Sequence, residues 1–466
     1  MDRPATAAPY ELEWRAPTKR VPLLLRRRST CRPPRSMLLC PLSAEANAQT
    51  AVYGPIFPSE RPCRFKCSTS TKDDPRAIGV AGGLDQGVAA SMTSQNVARR
   101  PVAETLAGVL ESPEVCGLVE QLEATRSTGR PGYPVRTMVG MALAKSMYAI
   151  PTWTRTVALV RERRDLAAVI ALDGQVPSEW ACYRFTAKLR DHTDLLQGCI
   201  AVVLKELKKN NPLLGWNVAI DASDMPAYAN GQRFKYKNGP EREKYSDPDA
   251  SWGHRSAVST RKGGGFYGYR IHMAVCAKTD LPLAWKVETG RMNESPTVAP
   301  LLDKLNGLGF NPETCALDKG YDNGPVYEAC EDRNIRPIIC LKQTPAVKRG
   351  EDKPPRCEHG EWRFAGADHK RKAAKWRCPT GECQPASVWI KADRLHTLIP
   401  RETLRWKSLY RGRASVERAF GRLKNEWSLA PLRVRRIERV RLHADLTILS
   451  QLSSALLRSR SVALAA

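Results

Sequence analysis

Two aspartates close short apolar runs: Asp221 follows Trp216–Ile220, and Asp318 follows Cys315–Leu317. A carboxylate in such a place loses hydration unless something pairs with it. If the two runs are neighbouring strands of one sheet, their acids share an edge and repel. A divalent cation is the natural resolution. A third group lies in Tyr410-Arg-Gly-Arg-Ala-Ser-Val-Glu-Arg-Ala-Phe-Gly-Arg-Leu-Lys424. On one helix turning about 100° per residue, with Tyr410 at zero, Arg413, Glu417 and Lys424 fall at about 300°, 340° and 320°. Val416, Ala419, Phe420 and Leu423 form the adjoining apolar face. Packed on the sheet by that face, the helix aims Glu417 along the edge where the aspartates end. The competing use of Glu417 is a surface i,i+4 pair with Arg413.

The elements that must position these groups are legible in outline. From Pro101 to about Asn211 apolar residues recur at three-to-four spacing, broken at Pro151 and at Gly174–Pro177, with Ser178 placed as an N-cap. The short helices carry Arg155, Arg161, Arg163, Arg164, Arg184, Lys188 and Arg190, which suits a helical DNA-binding module as well as a solvated basic surface. After Asn211 the pattern becomes β. Phe266–Cys276 alternates and Leu283–Glu288 follows a turn, making a hairpin. Helix, strand, helix and strand then follow at Thr297–Leu308, Cys315–Leu317, Val326–Arg333 and Pro337–Leu341. Such an order predicts a mixed α/β sheet with helices against it, preceded by an all-α region. A polar insert over about Lys342–Pro400 precedes a last pair of helices.

Composition narrows the partner. Of 466 residues, 74 are Lys or Arg and 48 are Asp or Glu, a net charge of +26, and the pI is about 9.7. Nucleic acid is the usual partner of so basic a chain. No run approaches the roughly 18 apolar residues that a membrane helix needs. Fourteen cysteines without a dense framework read as reduced thiols, which points to the cytoplasm. Residues 1–95, rich in Pro, Ser, Thr and Arg, hold no period. They read as a disordered basic tail or as a spurious upstream extension with Met92 as the true start.

The spacing Tyr410-x2-Arg413-x3-Glu417-x6-Lys424 resembles the Y-x2-R-x3-E-x6-K signature of bacterial insertion-sequence transposases of the DDE type. The segments AIDASD around Asp221 and ALDKGYDN around Asp318 resemble that family's first and second aspartate strands, and Gly129–Tyr148 its helical N-terminal region. The resemblance covers about Pro101 to Arg460. It implies a ribonuclease-H-like catalytic core over 212–460, with the insert, behind a helical DNA-binding domain over 101–211. It implies that Asp221, Asp318 and Glu417 hold two magnesium or manganese ions, and that Tyr410, Arg413 and Lys424 hold DNA phosphates. The implied activity is cleavage of insertion-sequence ends and their joining to target DNA. Terminal inverted repeats and target DNA are the implied partners, with a homodimer in the synaptic complex and a nucleoid-associated location. A protein that binds the repeats with a decayed site, and a metal-dependent nuclease on the same fold, are the alternatives.

Several residues compete with these assignments. Asp224 is a rival to Asp221, though the strand terminus favours Asp221; Asp322 is a weaker rival to Asp318; Glu294 reads as a cap for the helix after Pro296. The insert carries Cys357-Glu-His359 and Cys378-x4-Cys383, ligand types that tetrahedral zinc takes. With no C-x2-C unit, reduced surface thiols are preferred over a zinc knuckle. Trp362, Trp376 and Trp389 read as core of the insert for at least two of the three, with base stacking open to the other. Gly263–Gly265 reads as a loop, lacking the G-K-[ST] ending of a P-loop. Arg433, Arg435, Arg436, Arg439 and Arg441 form a basic run suited to DNA backbone.

Overall fold

Strand β1 (Asn217–Pro226) is the axis on which the site is built, and two different kinds of neighbour flank it. On one side β3 (Gly264–Cys276) runs antiparallel along its length, from Val218 opposite Cys276 to Pro226 opposite Gly268. On the other side β5 (Thr314–Leu317) runs parallel, but only from Asn217 beside Thr314 to Ile220 beside Leu317. Beyond β5 lies β6 (Arg336–Ile339), also parallel. The far edge is made by β4 (Pro282–Thr289), which forms a hairpin with β3, and by β2 (Ser251–Arg255), which pairs with the other half of β3. This mixed sheet, antiparallel strands followed by parallel strand–helix–strand units, is the ribonuclease-H-like arrangement expected. The computed structural model describes residues 101–126, 132–170, 174–231, 246–255 and 262–465. The expectations for residues 1–95 lie outside the described residues.

Burial explains the strand sequences. All four residues of β5 are buried, as are three of four in β6, so both strands read as unbroken apolar runs rather than alternating ones. Helices α8 (Val298–Gly307), α9 (Gly324–Glu331), α11 (Leu404–Arg411) and α12 (Ala414–Asn425) pack on the sheet, α12 against β1 and β3. α12 turns Val416, Ala419, Phe420 and Leu423 into the core, the apolar face expected of it.

The N-terminal helices, α1 (Val102–Leu110), α2 (Pro113–Ala124), α3 (Val135–Met147), α4 (Trp153–Glu162), α5 (Arg164–Ile170), α6 (Glu179–Asp191) and α7 (Thr193–Asn210), form a helical layer. Thr152 and Ser178 cap α4 and α6 by accepting from the N–H groups of Arg155 and Ala181. The long last helix α13 (Ile437–Ala465) packs on α1, α3 and α7 and also on β4, joining helices to sheet. Polar ties fix it at both ends of its contact. The Trp285 indole N–H donates to Asp445 at 2.7 Å, and Arg460 makes a two-pronged pair with Glu114 at 2.6 and 3.1 Å.

The insert opens with α10 (Pro345–Lys348) and is otherwise β: a two-stranded ribbon of β7 (Arg356–Cys357) and β8 (Gly360–Glu361), and a sheet of β9 (Arg363–Asp368), β10 (Ala373–Arg377) and β11 (Ser387–Lys391). Asp322, the weaker rival to Asp318, belongs to its anchorage. Its buried carboxylate accepts from the Lys342 N–H at 2.7 Å, from Arg394 at 2.8 Å and from the Tyr327 hydroxyl at 3.1 Å. Arg401 completes the clamp by donating to the Ile339, Arg394 and Leu395 carbonyls. Gly264 and Gly265 open β3 rather than forming the separate loop expected.

Candidate active site

Asp221 is not the last residue of its strand, as the apolar run suggests. β1 continues to Pro226 because β3 keeps supplying hydrogen-bond partners; what stops beside Asp221 is pairing with β5. Asp318 stands just past Leu317, the last residue of β5, and caps the turn that follows, its carboxylate accepting from the Lys319 N–H at 2.7 Å. Ile220 stands beside Leu317 in parallel register, so Asp221 and Asp318 come next on strands about 4.8 Å apart. The two acids therefore meet at a notch where the sheet opens.

The charge at that notch is unbalanced. Burial, then the Glu294 and Asp318 carboxylates, push Asp221 up to about 7, against the opposing pull of the Ala222 N–H that donates to it and of Arg413. Glu294 is itself raised, by burial first and then by Asp224 and Asp318. It therefore belongs to this cluster: it starts the short turn Ser295–Thr297 but its side chain caps nothing there, contrary to the expectation from sequence. Only the tertiary position of Glu294, next to Gly320 after β5, reveals this. Beneath them Tyr321 is fully buried with its hydroxyl unpartnered, and its ionisation is disfavoured by burial and by Asp221, Glu294 and Asp318. A set of hard oxygen donors held together against their own repulsion suits a divalent cation of the magnesium or manganese type.

Asp224, the rival to Asp221, lies next to the same cluster and acts on Glu294. Three residues along β1, it is paired with Arg270 at 3.1 Å and Arg255 at 3.5 Å.

The stripe from Tyr410 to Lys424 is split between two helices, not carried on one. Around Gly412 and Arg413 the hydrogen bonds shorten to i→i−3, closing α11 and starting α12. Gly412 is required there by close approach: a Cβ would lie 2.9 Å from the Leu409 carbonyl oxygen and 3.2 Å from Ala277 Cβ. Tyr410 thus sits on α11, stacked on Trp406 at 4.9 Å, with Cys340 and Asp318 beside it. Arg413 stands at the start of α12, where it acts electrostatically on both Asp221 and Asp318. Glu417, with 57 % of its side chain exposed, accepts from Arg413 at 2.7 Å, so the pair that competes with a metal role is formed in this structure. Lys424 reaches back to β1, donating to Ser223 Oγ at 2.7 Å and the Asp224 carbonyl at 2.6 Å. These bonds hold α12 along β1. Asp280, which no sequence pattern marks out, helps to hold the same helix. Buried in the β3–β4 turn, it accepts from Arg418 at 2.7 and 2.9 Å and from Arg422 at 2.7 Å.

A second feature lies between the helical layer and the segment before α13. A groove there is lined by Lys145, Trp180, Tyr183, Arg190, Arg435 and Arg439. Trp180 is 74 % exposed, and Arg433 and Arg435 lie over the Tyr228 ring at 5.1 and 5.0 Å. In the insert, Trp376 is core, Trp362 is half-buried, and Trp389 is exposed beneath Arg371 and Lys375. The thiols and imidazole of the insert also converge, which the irregular spacing does not suggest.

A ribonuclease-H-like sheet with paired acids at its notch defines a class of metal-dependent enzymes acting on phosphodiesters. Residues 214–452 match the model of the transposase DDE domain, and residues 94–188 match that of a transposase domain (DUF772). The first match spans just over half of the chain, which belongs to the DDE transposase family. The protein is thus a DNA transposase, a metal-dependent DNA cleaving and joining enzyme whose partner is DNA. No curated protein matches the chain. Among solved structures, piggyBac transposase in a synaptic complex with hairpin DNA is similar over 78 % of this chain and 75 % of that one, at 11 % identity and a TM-score of 0.36. Among the described residues no helix is long and apolar enough to cross a membrane.

Proposed function

We propose that Asp221, Asp318 and Glu417 are the catalytic carboxylates, and that they hold two magnesium or manganese ions. The observation that carries this reading is the parallel register of β1 and β5, which makes Asp221 and Asp318 neighbours, with Arg413 and Glu417 on the helix laid across β1. When bound, such ions activate a water or 3′-hydroxyl nucleophile and neutralise the leaving oxygen. The chain's own residues do the rest. Arg413 is placed to exchange Glu417 for a DNA phosphate by its bidentate fork, releasing Glu417 toward the aspartates. Tyr410, beside Asp318, contributes a hydroxyl to the same phosphate, and Lys424 holds α12 in register with β1 while adding positive charge. The helical region 101–211 contributes DNA binding through the groove of Trp180, Tyr183 and Arg190, facing Arg435 and Arg439.

In this reading residues 212–460 form the catalytic domain, acting on the terminal inverted repeats of the element and on target DNA as a homodimer at the nucleoid. The test is a cleavage and joining assay on those ends with magnesium, comparing wild type with Asp221→Ala, Asp318→Ala and Glu417→Ala. Each variant is expected to lose both products while retaining DNA binding. Full activity in any one removes that residue from the catalytic set. Cleavage without joining by wild type would make the protein a nuclease.

A further inference from the structure

We propose that Cys357, His359, Cys378 and Cys383 form a closed zinc site that holds the insert together. Their ligand atoms all lie within 4.8 Å of one another. His359 Nδ1 is 3.9 Å from Cys357 Sγ, 3.8 Å from Cys378 Sγ and 3.5 Å from Cys383 Sγ, and the Cys357 and Cys378 sulfurs are 3.9 Å apart. Bonds of about 2.3 Å to sulfur and 2.05 Å to nitrogen give tetrahedron edges of about 3.8 Å between sulfurs and about 3.6 Å from sulfur to nitrogen. The observed separations are those of four ligands around one small ion. They are far longer than the roughly 2.05 Å of a disulfide.

The surroundings are those of a metal knuckle. The other imidazole nitrogen, His359 Nε2, meets Glu382 Oε2 at 3.1 Å, the carboxylate–histidine arrangement that orients a ligating ring. The Thr380 hydroxyl lies 3.5 Å from Cys378 Sγ, a partner suited to a thiolate. Both turns that deliver ligands close on left-handed glycines, Gly360 with φ 113° after His359 and Gly381 with φ 83° between Cys378 and Cys383. Three thiolates and one imidazole leave no open position, which is the pattern of a structural rather than a catalytic zinc.

The need for a staple is visible in the packing. Across residues 342–396 only Ala373, Ala374, Trp376 and Cys378 are buried. Strands β7 and β8 are two residues each and pair only with one another, too little to persist alone. Small units with so little core rely on metal or disulfide cross-links. Cys357 and His359 lie in or beside that ribbon, and Cys378 and Cys383 lie just after β10, so one ion fastens the ribbon to the three-stranded sheet.

The test uses the full-length protein purified under reducing conditions, with metal content measured by elemental analysis and by cobalt substitution. One zinc per chain is expected. The cobalt form should show intense thiolate charge-transfer absorption and the strong visible bands of tetrahedral coordination. Cys378→Ser and Cys383→Ser should each lose the metal, Glu382→Gln should weaken zinc affinity about 10-fold, and Cys116→Ser, remote in α2, should keep it. Wild-type protein with no stoichiometric zinc, with iron in its place, with octahedral cobalt spectra, or with a Cys357–Cys378 disulfide would overturn the assignment. Because the readout is metal content and coordination, it stands or falls independently of the catalytic carboxylates.

Discussion

The carboxylate notch and the insert knuckle gather ligands by opposite routes. At the notch, Asp221, Glu294 and Asp318 come from separate segments of the chain, and a large sheet with helices against it holds these like charges together. In the insert, four neutral or readily ionised soft ligands fall within Cys357–Cys383, and hardly any core surrounds them. The first is a site that the fold sustains at some energetic cost. In the second, the proposed ion sustains the fold. Hard oxygen donors left open suit exchange of water and phosphate during chemistry, whereas closed sulfur and nitrogen donors suit permanence.

The largest expected effect separates these two directly. Stripping zinc with a strong chelator should remove on the order of 10 kcal/mol of apparent binding free energy and unravel the insert, with new proteolytic cuts confined to 342–400. Hydrogen exchange in β1, β3 and β5 should stay unchanged. Uniform deprotection of sheet and insert together would erase the distinction.

Next comes the opposite behaviour at the notch. Asp221→Asn should lower DNA cleavage by about 10³-fold or more and yet raise the melting temperature of the metal-free protein. It neutralises a carboxyl that burial and its neighbours Glu294 and Asp318 have pushed up to about 7. A loss of stability in that variant would mean that the carboxylate is structural.

Acid should strain both regions for different reasons. His272 and His443 are held neutral by burial, with their pKa values depressed to about 4 and about 3, against 6.5 in the ordinary state. Below 6.5 the unfolded chain takes up protons that the folded one refuses, so stability falls as pH drops from about 6.5 toward 4. Each imidazole contributes up to about 1.4 kcal/mol per pH unit. Asp221, raised to about 7, works in the opposite sense over the same window, so the decline in melting temperature should be clearest in Asp221→Asn, and adding His443→Gln should flatten it. Zinc release from the insert, followed by metal analysis, should add a separate transition.

The smallest effect concerns how α12 is held. Asp280→Asn weakens two ion pairs whose arginines are about half exposed, so a cost of about 1–2 kcal/mol is expected in denaturant titrations. Cleavage should fall only a few-fold. A loss as deep as that of Asp221→Asn would place Asp280 in the chemistry.

Much of the catalytic layout is legible before any coordinates. The β3–β4 hairpin, the helix–strand alternation after it and the apolar face of α12 follow from periodicity, because strands and helices must bury one face each. Glu294 shows the limit. Its neighbours in the chain make it look like a cap, and only the approach of the turn after β5 reveals it as part of the acidic cluster. Asp322 looks like a spare ligand beside Asp318, yet it serves the insert, because Arg394 and the Lys342 N–H arrive from a segment that local pattern cannot place.

By itself, then, the chain's order of residues singled out side chains able to carry the chemistry and the outline of the strands and helices near them, since residue type, spacing and period are local properties. It did not determine where β1 loses its parallel neighbour, that Tyr410 and Glu417 stand on separate helices, or that four irregularly spaced soft ligands meet. Those depend on register and packing between segments far apart in sequence, whose separation along the chain does not fix their distance in space.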